Sequence, residues 1–305
     1  MENKFRTKEE ISQWLDKMEI ENYSINDDLT VDVDGSVELA MSELTNIPMQ
    51  FNHVSMDFRC GSNQLISLEG CPRVVGGSFR CEDSKISSLE GGPQTVGKDF
   101  YCYENKLTSL EGAPQTVGGS FFCQDNLLIS LKGAPQTVGG FFVCHKNELT
   151  SLEGSPEHVG GYFYCYENKL TSLDGAPKTV GGGFECQYNL LTSLKGAPQT
   201  VGESFRCHEN KLTSLEGAPQ TVGGQFWCKY NNISLSEIAH FKVSREKGIR
   251  ISSFDYTDEE IDKAVKIIKL HEHLNQSIKQ KDDLPMAKAA SNVQVSATRT
   301  GKLKI

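Results

Sequence analysis

The chain repeats itself every 21 residues, and that period constrains its fold more than any other feature. Phenylalanine stands at Phe58, Phe79, Phe100, Phe121, Phe142, Phe163, Phe184, Phe205 and Phe226, and a cysteine follows each two residues later, from Cys60 to Cys228. Three residues after the cysteine comes asparagine, at Asn63, Asn105, Asn126, Asn147, Asn168, Asn189, Asn210 and Asn231, with Ser84 as the exception. Leucine or isoleucine follows two residues on. A unit this short cannot bury its apolar side alone, so successive copies must stack into a solenoid and share one continuous core.

The local pattern gives the geometry of a coil. In "SFFCQ", Phe121 and Cys123 lie two apart and share one face of a strand. Stacked coils place such strands side by side in parallel, roughly 4.8 Å apart. The asparagine ends the strand and offers an amide to backbone groups that would otherwise be buried without partners. "EGAP" and "VGG" supply turns. The return segment holds too much glycine and proline for a helix, so extended or polyproline-like backbone is expected there.

The F-x-C-x-x-N-x-L pattern resembles the leucine-rich repeat, L-x-L-x-x-N-x-L, with Phe and Cys in the two strand positions. The short repeat with proline in its return segment looks like the bacterial subclass. It is most similar to leucine-rich repeat proteins encoded by tailed bacteriophages, and more distantly to secreted bacterial effectors. The resemblance covers about residues 41–235. It implies an α/β repeat solenoid that is curved, with a parallel sheet on the concave side, a mostly non-helical convex side and helical caps at both ends. Related effectors can carry a ubiquitin-ligase domain with a catalytic cysteine. No cysteine follows Cys228 here, so that activity is not carried over.

The cysteine ladder reads as core. Free cysteine packs as a small hydrophobe. Zinc sites use short pairs such as C-x2-C, which do not occur here. Cys71 lies off the register and is expected to be a buried turn residue. The adjacent pairs Cys144-His145 and Cys207-His208 are not expected to form nucleophile–base sites, because neighbours in a strand face opposite ways. "HEH" at 271–273 is not the H-E-x-x-H metal motif, and no glycine-rich phosphate loop is present. No metal, cofactor or catalytic residue is therefore expected.

Residues 1–40 read as an N-terminal cap. Thr7 and Glu10 form a capping box, Ile11, Trp14, Leu15 and Met18 one apolar helix face, and "LTVDVDGSVELA" a hairpin turning at Asp34-Gly35. Residues 41–235 are the repeats, opened by a degenerate copy in "ELTNIPMQF". Residues 236–283 read as a C-terminal helical cap. Ser236 is expected to start a helix over 237–247 closed by Gly248, "IRISSFDY" to form a strand, and Thr257 with Glu260 to open a helix to about residue 280. Its Ile261, Val265, Ile268, Leu270, Leu274 and Ile278 would cover the last rung, or alternatively dock a partner. Residues 284–305 carry no acidic side chain and read as a disordered basic tail.

Charge bears on partners. The formal net charge is −9, which argues against nucleic acid. It is uneven, because residues 239–305 carry 13 basic and 9 acidic side chains against 18 and 31 in the rest. The start lacks the apolar run of a secretory signal, and no segment approaches the roughly 20 apolar residues of a membrane helix. A cytoplasmic protein is expected, in the host cytoplasm if it is phage-encoded.

Function then falls to the outward strand residues. The central outward position holds Arg59, Arg80, Tyr101, Phe122, Val143, Tyr164, Glu185, Arg206 and Trp227. Two residues later stand Gly61, Glu82, Tyr103, Gln124, His145, Tyr166, Gln187, His208 and Lys229, and two residues before the centre Phe141 and Tyr162 are aromatic. Tyr101, Tyr103, Phe122, Phe141, Val143, Tyr162, Tyr164 and Tyr166 would form one apolar patch flanked by charge, the composition of a binding hot spot. The expectation is a non-enzymatic scaffold for a protein partner, which the phage likeness implies is a bacterial host protein held or inhibited. Aromatic rings beside carboxylates also suit sugars, so a carbohydrate ligand is the second reading.

Overall fold

The two residues that begin each strand motif pair in parallel with their counterparts one repeat away. Phe121 and Phe122 pair with Phe100 and Tyr101 on one side and with Phe142 and Val143 on the other. The same register runs from Val37–Glu38 to Gln225–Trp227, and Arg250–Ser252 extends the row. This eleven-stranded sheet is called the front sheet below. The chain is a parallel β-solenoid in a computed structural model that describes residues 5–244, 250–252 and 255–282.

A second sheet runs along the return segment, where only extended or polyproline-like backbone was expected. Thr116–Val117 pairs in parallel with Thr95–Val96 and Thr137–Val138, and this back sheet also has eleven strands. Threonine faces solvent and valine the core. Two-residue strands between proline and glycine leave no alternation to read, but β-branched Thr-Val suits a pleated surface with one buried face.

The core between the sheets is a set of columns. The phenylalanines from Phe58 to Phe226 are fully buried and stack down the axis, with Phe100 and Phe121 5.0 Å apart and 4° from parallel. Such pairs add about 0.5–1.5 kcal/mol each beyond area burial. All ten cysteines are free and buried, including off-register Cys71. Burial pushes the Cys71, Cys102, Cys123 and Cys165 thiols well above their ordinary range.

Asparagine joins one coil to the next. Asn126 Nδ2 donates to Cys123 O and Gln124 O of its own coil and to Cys102 O of the preceding one, and its Oδ1 accepts from Leu107 N of that coil. The turn that aims this amide puts the preceding residue in left-handed backbone. Nine non-glycine residues occupy that slot, from Ser62 to Tyr230, with φ near +50°.

Glycine is required at two places in each coil for different reasons. Gly112 adopts φ +91°. Gly118 has no such backbone, but a β-carbon there would press into the carbonyl oxygen of Gly97 one coil earlier, and Gly139 stands to Gly118 in the same way.

The ends differ from expectation in three respects. No hairpin turns at Asp34-Gly35. Val31–Val33 joins the back sheet and Val37–Glu38 the front sheet, both parallel to the next coil. The spacing from Val33 to Val37 is that from Val117 to Phe121, so this segment is already a rung corner. The hairpin lies earlier, between Tyr23–Ile25 and Val31–Val33. Helix α1, Lys8–Lys17, covers this end with Ile11 and Leu15 buried, and Thr7 and Glu10 form its capping box. Helix α2, Leu235–Ser244, is capped by Ser234, whose hydroxyl accepts from Glu237 N at 3.2 Å. It starts two residues before the position expected for a Ser236 cap, because the turn after buried Ile233 already points Ser234 at the free amides. Its Phe241 packs on Phe226 with ring centroids 5.4 Å apart.

Helix α3, Asp258–Asp282, opens on a Thr257–Glu260 capping box. Ile261 is buried and Val265 packs on the core, but Leu270, Leu274 and Ile278 are exposed. Ile268 is half-buried, and Glu272 lines a pocket with Leu215, His240 and Phe241, so the helix follows the body beyond its first turns. Gly248 and the 284–305 tail lie outside the described residues. Among the described residues no helix is long and apolar enough to cross a membrane.

Candidate functional site: the outward face of the front sheet

Strand alternation sends every second side chain of the front sheet outward. Three columns result, running along the solenoid axis with a spacing of about 4.8 Å per rung. The first precedes each core phenylalanine, the second follows it, and the third follows each cysteine.

The first column knits rungs together wherever it carries Asp or Ser. Asp57 accepts from Ser78 N at 2.8 Å, Asp99 from Ser120 N at 2.7 Å and Ser120 from Phe141 N at 3.0 Å. Phe141 and Gly183 carry no side-chain acceptor and the Tyr162 hydroxyl is engaged with Glu203, so this ladder is interrupted over three rungs. The ring of Tyr162 crosses Gly183 and its hydroxyl hydrogen-bonds Glu203 two rungs on, which raises the Tyr162 phenol to about 12. A β-carbon at Gly183 would lie 2.8 Å from that ring, so the glycine makes room for it.

The aromatic residues fall into two groups. Tyr101 stacks on Phe122 with centroids 4.6 Å apart and planes 4° from parallel. Its other face is covered by the Arg80 guanidinium at 4.2 Å, which Glu82 holds at 3.0 Å. Its hydroxyl donates to Asp99 at 3.2 Å, and Tyr103 meets its edge at 6.4 Å. In the second group Phe141, 41% exposed, stands nearly perpendicular to Tyr162 and Tyr164. Those two rings lie near parallel at 5.4 Å, and Tyr166 meets Tyr164 edge-on while stacking on His145 at 4.3 Å.

Two residues expected on the open face are covered. Val143 is 6% exposed and Glu185 7%. Alternation fixes which way a side chain leaves the strand, but its exposure depends on the lengths of its neighbours one rung away. Val143 is shorter than Phe122 and Tyr164 on either side. Glu185 is held by Arg206 at 2.9 Å and Gln187 at 3.2 Å. Arg59 is exposed at the N-terminal end, paired with Glu38 and Asp57. Trp227 lies on the last full rung with the Lys229 ammonium 5.7 Å from its ring.

Gln124, His145, Gln187 and His208 also belong to this face, although an aromatic criterion passes over them. The clearest signal for the whole face is within the sequence itself. The nine copies use six residue types at the central outward position and six in the third column, while six of the eight back-sheet positions preceding the valine are threonine. The inward positions are near-identical from copy to copy, whereas the outward face, with the exposed turn residues on either side of the asparagine, carries most of the divergence. Among the described residues no group of three or more His, Cys, Asp or Glu side chains is placed to hold a metal ion.

No family model matches the chain, and no curated protein matches it in sequence. Among solved structures it is similar to YopM from Yersinia enterocolitica WA-314, at 16% identity and a TM-score of 0.38, over 64% of this chain and 52% of that one. The chain therefore spans about half the length of that protein.

Proposed function

We propose that this protein is a non-enzymatic scaffold that binds a protein partner through the outward face of its front sheet. The observation that carries this is the cluster of outward aromatic side chains, among them half-exposed Phe141, on copies whose inward residues are near-identical. The likeness of the repeats to those of phage-encoded proteins supports a partner from the bacterial host, sequestered or inhibited in its cytoplasm. Sugar binding is the second reading, and Tyr101 does not serve it, because stacking on a sugar needs an open ring face and both faces of Tyr101 are occupied.

The test compares wild type with the double variant Tyr101→Ala/Tyr164→Ala in capture from bacterial lysate. Each outward truncation should cost stability no more than about 1 kcal/mol. Each should cost binding roughly 2 kcal/mol or more, so the pair weakens the partner by on the order of a thousandfold. The core variant Phe121→Ala should lose about 3–5 kcal/mol of stability. Capture of the same partner by the double variant, undiminished, would remove the aromatic face as the site.

A further inference from the structure

Five side-chain polar atoms are buried without a hydrogen-bond partner among the described residues: Glu82 Oε2, Gln124 Oε1, His145 Nδ1, Gln187 Oε1 and His208 Nδ1. All five belong to the third outward column, the residues that follow the core cysteines. Buried polar atoms without partners are few in native proteins, because each costs its desolvation with nothing in return. Five in one line on one face point to a ligand that completes them when the side chains turn outward.

The chemistry of the line selects that ligand. Glu and Gln oxygens accept hydrogen bonds and do not donate them. Burial holds His145 and His208 below the ordinary histidine range, so each ring is neutral and keeps one accepting nitrogen. The three carboxylate and amide oxygens therefore lack donors, and each histidine can accept at Nδ1 in its Nε2–H tautomer. The field is negative around His145 and Tyr166, where Asp125 and Glu167 act on His145, and Glu167, Glu185 and Asp125 on Tyr166, with Lys146 the cation acting on His145; at His208 the charges acting are Lys229 and Arg206. Lys146 is itself 3.8 Å from Asp125. The sheet already shows how it holds a cation of this kind, in Arg80, whose guanidinium lies on the Tyr101 ring and bonds to Glu82.

We propose that the column Gln124–His145–Tyr166–Gln187–His208 receives an arginine-bearing segment of the partner protein, with a guanidinium laid against the His145–Tyr166 stack. This rests on the protein-binding reading of the front face and adds the chemistry of the bound segment. Planar N–H donors suit both needs of the column, acceptors without donors and a ring stack in a negative field.

The probes are capped pentapeptides, Gly-Arg-Gly-Arg-Gly and its citrulline and glutamate counterparts, titrated at millimolar concentration into the full chain. The histidine ring and tyrosine signals are followed by NMR. The arginine peptide should move the His145, Tyr166 and His208 signals saturably, the citrulline peptide at least fivefold more weakly, and the glutamate peptide not at all. The variant Gln124→Leu should bind the arginine peptide at least threefold more weakly while melting no lower than wild type, since it removes an unpartnered oxygen. Equal shifts with arginine and glutamate peptides, no shift at the column, or undiminished binding by the leucine variant would overturn the proposal. So would a clear drop in its melting temperature, the mark of groups that serve the fold. If wild type captures a partner from lysate, the Tyr101→Ala/Tyr164→Ala variant does not, and the arginine peptide is silent, this inference fails while the protein-binding reading stands.

Discussion

Replacing Asn126 with alanine removes four hydrogen bonds from the seam between two coils, and the cost can be worked out acceptor by acceptor. Cys102 O keeps the Asn105 amide at 3.2 Å, Cys123 O keeps Asn147 at 3.1 Å, and Gln124 O keeps the Glu104 N–H at 3.2 Å. Leu107 N–H loses the Asn126 acceptor, at 3.0 Å, and is left buried. One orphaned donor costs about 1–3 kcal/mol and each lost shared bond about 0.5 kcal/mol, so the variant should lose about 3 kcal/mol. The sequence contains its own counterpart in Ser84. The shorter side chain accepts from Asn63 N at 3.3 Å and does not extend to the Leu65 amide. Ser84→Asn should therefore stabilise the protein, by about 1 kcal/mol. Urea unfolding monitored by circular dichroism measures both changes, and amide exchange at Leu107 locates the first. A loss under about 1 kcal/mol for Asn126→Ala, unchanged protection of Leu107, or destabilisation by Ser84→Asn would refute the assignment of the ladder as the seam.

Other perturbations have equally definite outcomes. Burial raises the pKa of nine thiols, from Cys71 to Cys228, the last to about 12. The unfolded chain therefore releases these protons first, and stability should be level below about pH 8.5 and fall between about pH 9 and 12, each thiol contributing roughly 1.4 kcal/mol per pH unit. A urea midpoint that holds from pH 8.5 to 10.5, or rapid labelling of the native thiols at pH 8, would count against it. Gly118→Ala forces a β-carbon against the Gly97 carbonyl and should cost about 3 kcal/mol or more, read as a lower thermal midpoint. Glu209→Gly relieves left-handed backbone at φ +54°. It should raise the urea midpoint by the equivalent of about 0.5–1 kcal/mol, the relief of strain outweighing the added chain entropy.

The period, the inward Phe and Cys columns and the role of asparagine were legible in the sequence, because nine copies repeat the same demand on the same residue. The back sheet was not, since Thr-Val is too short to show a period and glycine and proline flank it. The Asp34-Gly35 segment misled for a related reason. A tight-turn signature between two alternating runs reads as a hairpin, and only the placement of the first coil makes it a corner. The site was half legible. Alternation placed Tyr101, Phe122, Tyr164 and Tyr166 on the outward face. The covering of Val143 and Glu185 and the unpartnered atoms of Gln124 and Gln187 depend on neighbours 21 residues away, beyond any local pattern.

The glycine column at Gly97, Gly118 and Gly139 has a consequence for how such a surface can change. Because backbone presses on backbone there, the glycine column limits the pitch of the solenoid from the far side of each coil, whatever side chains the front sheet turns outward. Outward residues can be exchanged rung by rung, and whole rungs gained or lost, while the distance between recognition groups stays the same. If the front sheet is the binding face proposed above, it would work as a ruler with interchangeable marks, and a new partner would be met by rewriting the marks alone.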